Sequence, residues 1–222
     1  MKGKMKLLRS LLHIASKQRL SLLFALALLS ATALHAQSSS YTGPPKWINH
    51  ATAEMGFGGV AAAGSTSNTV HPGFGFIMGI GYRWNERLSA LLEWSLNADG
   101  MPRSILQQAG QSVGDYWFNS IAVDPLFNYI QHGKWAGYVI GGGGISFKDV
   151  IFTRYTYVAS SESSSQPMFD VGTGVTFHFH EGYRGGVFLE TRYVKMFTPT
   201  GQYPGFGTAN TELVPVTMGL RF

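Results

Sequence analysis

Bulky apolar residues occupy every second position along most of the chain after residue 49. Between residues 73 and 83 the intervening positions are mostly glycine, and similar alternation recurs at 88–97 and 168–180. Successive side chains of a strand point to opposite faces, so alternation over eight or more residues predicts β-strands. The apolar positions of these three segments are Phe74, Phe76, Met78, Ile80, Tyr82, Leu88, Ala90, Leu92, Trp94, Leu96, Phe169, Val171, Val175, Phe177 and Phe179.

The pattern predicts eight strands, at about 50–61, 73–83, 87–97, 116–130, 135–147, 168–179, 184–196 and 212–222. Short turns follow the second, fourth and sixth strands, and long loops follow the others, the longest at about 148–167 with Arg154, Tyr155, Tyr157 and a serine run. An even number of strands with alternating short turns and long loops is typical of bacterial outer-membrane barrels. The prediction is an all-β fold, an eight-stranded antiparallel up-and-down transmembrane β-barrel. Pro125 and Pro215 fall within predicted strands, where each removes one hydrogen-bond donor.

The apolar face is predicted to contact lipid. A sheet in lipid cannot leave an edge unpaired, so the strands must close into a barrel. A soluble barrel of the lipocalin type would turn its apolar face inward, whereas here glycine and charge share the other face. Aromatic residues near both strand ends predict two interfacial girdles. They are Tyr82, Trp84, Tyr129, Trp135 and Tyr183 near the short turns, and Trp117, Phe147, Phe152, Tyr155, Tyr157 and Phe197 near the long loops.

The N-terminus has the features of a secretory signal peptide. Six of the 17 Lys and Arg residues lie within the first 19 positions, an apolar run covers 20–34, and cleavage is predicted after Ala33 or Ala36. The alternative is an uncleaved membrane anchor. Residues 1–36 are thus predicted to be a signal peptide, 37–48 a short periplasmic segment and 49–222 the barrel domain. The remaining 11 basic and 12 acidic residues form no basic stripe, so nothing favours nucleic-acid binding.

The C-terminal stretch Val214-Pro-Val-Thr-Met-Gly-Leu-Arg-Phe222 resembles the signal by which outer-membrane barrels are recognised for insertion. Its apolar residues share one face: Val214, Val216, Met218, Leu220 and Phe222. Together with segments 79–83 and 190–193, it is similar to the small OmpA/OmpX-type outer-membrane β-barrel domain family over about residues 49–222. The resemblance implies outer-membrane lipid and lipopolysaccharide, periplasmic chaperones and the barrel-insertion machinery as partners, a monomer, and a location in the bacterial outer membrane.

Charged residues on the glycine face are predicted to lie in the lumen. They are Glu54, Arg83, Glu93, Asp124, Asp170, His178, Glu190, Arg192 and Arg221. Eight strands leave an interior just wide enough for side chains, and buried charges must pair. We expect a structural plug of Arg–carboxylate pairs, with a gate that re-pairs to open a narrow ion path as the alternative.

No motif predicts catalysis, a cofactor or a metal. Enzymes of the lipid A deacylase family carry a His-x-Ser-Asn element on a late strand, but the comparable stretch 192–195 has neither His nor Ser. His178 and His180 share one face without an evident third metal ligand, and Gly141–Gly144 lacks the Lys-Ser/Thr of a phosphate loop. The expected function is therefore a non-enzymatic structural or binding role through the extracellular loops. A narrow channel is the second hypothesis and a lipid A-modifying enzyme the third.

Overall fold

A computed structural model describes residues 50–108, 110–154, 157–180, 185–197 and 210–222. The predicted signal peptide with its cleavage sites, the segment 37–48, Tyr155 and Tyr183 lie outside the described residues. Eight antiparallel strands form a closed barrel in which each strand pairs with the next and the last pairs with the first. The strands are β1 (Ala51–Ala62), β2 (Gly73–Arg83), β3 (Leu88–Gly100), β4 (Val113–His132), β5 (Trp135–Arg154), β6 (Tyr157–His178), β7 (Gly186–Met196) and β8 (Thr211–Arg221).

The predicted fold class is confirmed, but the three central strands are longer than predicted. The predicted loop at 148–167 is wrong, because β5 and β6 continue as a hairpin whose pairs include Phe147 with Ser165 and Val150 with Glu162. The serine run has no apolar alternation and so gave no strand signal. Backbone pairing with β5 does not require such an alternation. We call the part of the β5–β6 hairpin that lies between Phe147 and Ser165 in the sequence, residues 148–164, the tall hairpin.

Two short helices lie at the long-loop end of the barrel. A 3-10 helix spans Gly64–Asn68 in the β1–β2 connection, and α1 spans Arg103–Gln108 in the β3–β4 connection. Met101 before α1 and Leu106 within it are buried. Among the described residues no helix is long and apolar enough to cross a membrane.

The two faces of the wall follow the predicted alternation. Large apolar side chains such as Phe57, Val123 and Val171 are each 55% exposed on the outer surface. At the short-turn end, Tyr82, Trp84, Tyr129 and Trp135 are exposed, as predicted for a girdle. At the other end, Phe147 and Phe197 are exposed and Trp117 is partly exposed. The prediction is wrong for Phe152, which is 8% exposed because it shares the inward-facing parity of Ser146 on β5.

The prolines and glycines fit the strands in different ways. The β4–β5 ladder stops at Val123 and resumes at Leu126, and the β7–β8 ladder skips the position of Pro215. Both prolines therefore lie in strands at gaps in the pairing. The glycine run of β5 packs closely, because a Cβ at Gly144 would collide with the backbone of Ile121 and Ala122.

Candidate functional site

The barrel interior is divided into layers along its axis. Toward the long-loop end lies an apolar plug, formed by Val60, Val70, Met101, Leu106, Tyr116, Phe118, Ala122, Phe152, Met168, Val194, Met196 and Leu213. Nearer the short turns lies an ion-pair layer, formed by Glu54, Glu93, Asp124, Asp170, Glu190, Arg192 and Arg221. A smaller apolar cluster of Leu91, Leu126, Tyr138 and Ile140 lies further toward the short turns on β3, β4 and β5.

Arg192 is the centre of the ion-pair layer. Its Nη2 lies 2.6 Å from Glu93 Oε2, and its Nη1 lies 3.0 Å from Asp124 Oδ2 and 3.5 Å from Asp170 Oδ1. Its Nε donates to Glu190 on the same strand, and Nη2 is 4.0 Å from Glu54 Oε1. The side chain is 7% exposed. One guanidinium therefore contacts carboxylates from five strands, β1, β3, β4, β6 and β7.

Arg221 forms the second half of the layer. Its Nε donates to Glu54 Oε2 at 2.6 Å, which links β8 to β1 across the seam that closes the barrel. Its Nη2 lies 3.3 Å from the Tyr138 hydroxyl, which in turn donates to Glu190 Oε2 at 2.9 Å. The guanidinium also lies over the rings of Tyr138 and Phe188, at 4.4 and 4.8 Å from their centroids. These contacts hold the cation by charge, hydrogen bonds and cation–π attraction together.

Seven of the nine predicted lumenal side chains meet in the ion-pair layer. Arg83 and His178 do not, because they lie at the ends of β2 and β6 next to the short turns, where they line an open cavity. Sequence reasoning missed Tyr138 and the apolar plug. The signal for the plug was the stretch Tyr116-Trp117-Phe118, where both faces are aromatic rather than only the outer one.

The layer is rich in acidic side chains for a buried site. Five carboxylates share two guanidinium groups, and every carboxylate side chain in it is at most 5% exposed. Such a cluster can stabilise the packing of several strands against one another. Arg192 also has several carboxylate partners and can exchange one for another. The interior also holds a hydrogen bond of 2.9 Å from Ser120 to Ser146. Among the described residues, no three His, Cys, Asp or Glu side chains are arranged to hold a metal ion.

Comparison with known proteins identifies the fold. No family model and no curated protein sequence matches the chain. Among solved structures, Neisserial surface protein A is 13% identical with a TM-score of 0.54, over 77% of this chain and 95% of that protein. The Yersinia pestis attachment invasion locus protein Ail is 16% identical, with a TM-score of 0.47 over 78% and 98% of the two chains. The chain has the fold of the small eight-stranded outer-membrane barrels of the OmpA/OmpX type.

Proposed function

We propose that the protein is a non-enzymatic outer-membrane β-barrel with a structural or binding role at its extracellular side. The filled interior is the observation that carries this proposal. The apolar plug and the ion-pair layer occupy successive depths of the lumen, and several of their side chains, such as Phe118, Met196 and Asp124, are fully buried. A barrel filled in this way presents its outer wall and its two ends as the surfaces available to other molecules.

The outer wall supports a location in lipid. Its exposed side chains are large and apolar, with Ile121, Ile145 and Leu189 each about half exposed. In water such a continuous apolar surface would drive association, whereas in a bilayer it is satisfied by acyl chains. Export by residues 1–36, insertion through the C-terminal signal and contact with lipopolysaccharide are parts of the same proposal.

The tall hairpin is the extracellular surface that we propose for binding. It extends the sheet through pairs that run from Lys148 with Ser164 to Arg154 with Tyr157. A shortened variant replaces residues 153–159 with Asn-Gly, a sequence that favours a two-residue hairpin turn. This design retains the pair between Phe152 and Ser160, so the Phe152 ring remains in the apolar plug.

Adhesion of whole cells tests this role. Cells that display the shortened variant are compared with cells that display the full chain at equal surface levels, on extracellular-matrix-coated and uncoated supports. Lower adhesion on the coated support alone would support binding through the tall hairpin. Equal adhesion with normal barrel assembly would contradict binding through the removed residues 153–159 and would favour a structural role.

A narrow channel is the second candidate function, because Arg192 has five carboxylates within 4.0 Å and can exchange partners. Planar-bilayer recording of the purified barrel tests it. We expect no steady current, since water would have to displace the apolar plug as well as open the ion pairs. A steady conductance that changes in Arg192→Met but not in Lys195→Met, a substitution on the outer face of the same strand, would favour the channel instead.

A lipid A-modifying activity is the third candidate and lacks the His-x-Ser element at 192–195. Mass spectrometry of lipid A from cells with and without the protein tests it directly. We expect identical lipid A species. A mass shift that depends on the protein and disappears in His178→Ala would overturn the non-enzymatic proposal.

A further inference from the structure

The short-turn end of the barrel contains a cavity of about 460 Å³ that opens to the solvent. Its volume falls within the range of small-molecule sites. The lining residues come from His50 just before β1, from the short-turn ends of β2, β3, β4, β5, β6 and β8, and from the β2–β3 and β4–β5 turns. In outer-membrane barrels of this type, the short turns face the periplasm. The cavity is therefore a vestibule entered from the periplasmic side, and at its inner end it meets Arg221 of the ion-pair layer and Leu126 of the smaller apolar cluster.

Two guanidinium groups, two imidazoles and one carboxylate line the vestibule. Arg83 and Arg221 line it together with His50 and His178, and Glu86 is the one carboxylate among its described lining residues. His50 is held in place because its Nδ1 lies 2.8 Å from the carbonyl oxygen of Arg83 and its ring stacks on Tyr82. The remaining lining includes amide and hydroxyl side chains, which can add hydrogen bonds to an oxygen-rich ligand.

The ion-pair layer turns one of its two cations, and none of its carboxylates, toward this vestibule. Of its seven side chains, Arg221 is the one that lines the cavity. Glu54, which accepts from Arg221 Nε, has a fully buried side chain behind it. An entering ligand therefore meets a guanidinium at the floor and a second one at Arg83 near the rim. The excess carboxylates of the layer lie deeper and oppose an anion at longer range, so the expected affinity is weak.

We propose that the vestibule is a binding site for a small anion that carries a phosphate or carboxylate group and reaches it from the periplasm. Arg83 and Arg221 would supply charge-assisted hydrogen bonds, which guanidinium groups form well with both kinds of oxyanion. The opposing carboxylates place the expected dissociation constant in the millimolar range. This inference rests on the proposed outer-membrane location for its access from the periplasm and is independent of a binding role at the extracellular side.

The test is an NMR titration of the refolded, ¹⁵N-labelled protein in a non-ionic detergent at constant ionic strength. The probes are inorganic phosphate and succinate, which distinguish a phosphate site from a carboxylate site. The side-chain amide signals of Asn128 and Gln131, which line the vestibule, report binding, while the indole signals of Trp94 and Trp117 on the outer wall serve as references. We expect saturable shifts at Asn128 and Gln131 with one or both probes. Unsaturated shifts, or equal shifts at all four groups, would overturn the proposal.

A matched pair of variants distinguishes binding at a defined site from nonspecific attraction of anions to the positive charge at this end of the barrel. Arg83→Gln removes a lining charge, and Lys134→Gln removes a charge from the β4–β5 turn at a residue that does not line the cavity. We expect Arg83→Gln to weaken binding by about tenfold or more, the effect of losing a charged hydrogen bond, and Lys134→Gln to change it less than twofold. His178→Asn provides a second lining variant, and heat-modifiable electrophoretic mobility confirms that each variant folds. Equal weakening by Arg83→Gln and Lys134→Gln would contradict a defined site.

Discussion

Replacing Arg192 with methionine should destabilise the barrel more than any comparable change of charge on its wall. Arg192 lies within 4.0 Å of five buried carboxylates, and its own side chain is 7% exposed. Removing it leaves five carboxylates with one guanidinium. Loss of one partner from a buried ion pair costs about 3–5 kcal/mol, because the remaining charge stays buried without compensation. We expect a loss at the upper end of this range, since several carboxylates lose the same partner.

Urea titration of the barrel in lipid vesicles, followed by tryptophan fluorescence and electrophoretic mobility, measures the free energy of unfolding. The matched control is Lys195→Met, the same apolar replacement three positions along β7. Lys195 pairs with Glu212 at 2.8 Å on the outer face, so its loss leaves no buried charge. We expect a far smaller effect than for Arg192→Met.

A second experiment tests the stated cause. Adding Glu93→Gln and Asp124→Asn to Arg192→Met removes two of the carboxylates that lost their partner, so the triple variant should be more stable than the single one. If Arg192→Met cost less than about 1 kcal/mol, the size typical of surface pairs, the layer would contribute little to stability. If the triple variant were no more stable, unpaired carboxylates would not be the cause of the loss.

Four further predictions concern the wall and the plug. Gly144→Val should prevent folding, because its side chain would collide with the β4 backbone. Gly59→Val should fold, because no atom lies within 4 Å of an added Cβ. The fraction of each variant with heat-modifiable electrophoretic mobility measures the difference. Phe118→Ala, in the apolar plug, should lower the free energy of unfolding by about 3–5 kcal/mol in the urea assay. Val171→Arg should cost about 2–4 kcal/mol in vesicles if this exposed position lies near the bilayer midplane, and less in detergent. Phe222→Ser should reduce assembly in cells more than refolding in vitro, and equal losses would contradict a role in recognition by the insertion machinery.

The alternation of side chains predicted the faces of the barrel well. Glu54, Glu93 and Arg192 are each separated by an even number of positions from the other inward-facing residues of their strands. This alternation alone places them in the lumen. Parity does not give depth along the axis, however. It placed Arg83 and His178 on the correct face but could not separate them from the ion-pair layer, because strand register and tilt decide which residues meet.

The missed features have a common cause. Hydrophobic alternation reports a contrast between lipid and lumen, and it vanishes where both sides of a strand meet similar surroundings. Tyr116 and Phe118 are aromatic residues that face inward, so both faces of this end of β4 are apolar and the alternation disappears there. The serine run of β6 lacks apolar residues on either face, and the β5–β6 pairing there was not detectable from composition.

The seam between β1 and β8 has a consequence for the order of assembly. Ala53 and Phe222 exchange two backbone hydrogen bonds, and the ion pair between Glu54 and Arg221 joins residues 167 positions apart in sequence. All other strand pairs join neighbours in the chain, so the seam carries the largest loop-closure entropy. We therefore expect a late kinetic step in which a curved, open sheet already holds its hairpins while Glu54 and Arg221 are still solvated. If Glu54→Gln slows closure of the barrel and leaves hairpin formation unchanged, the ion pair between Glu54 and Arg221 stabilises the transition state of the final step.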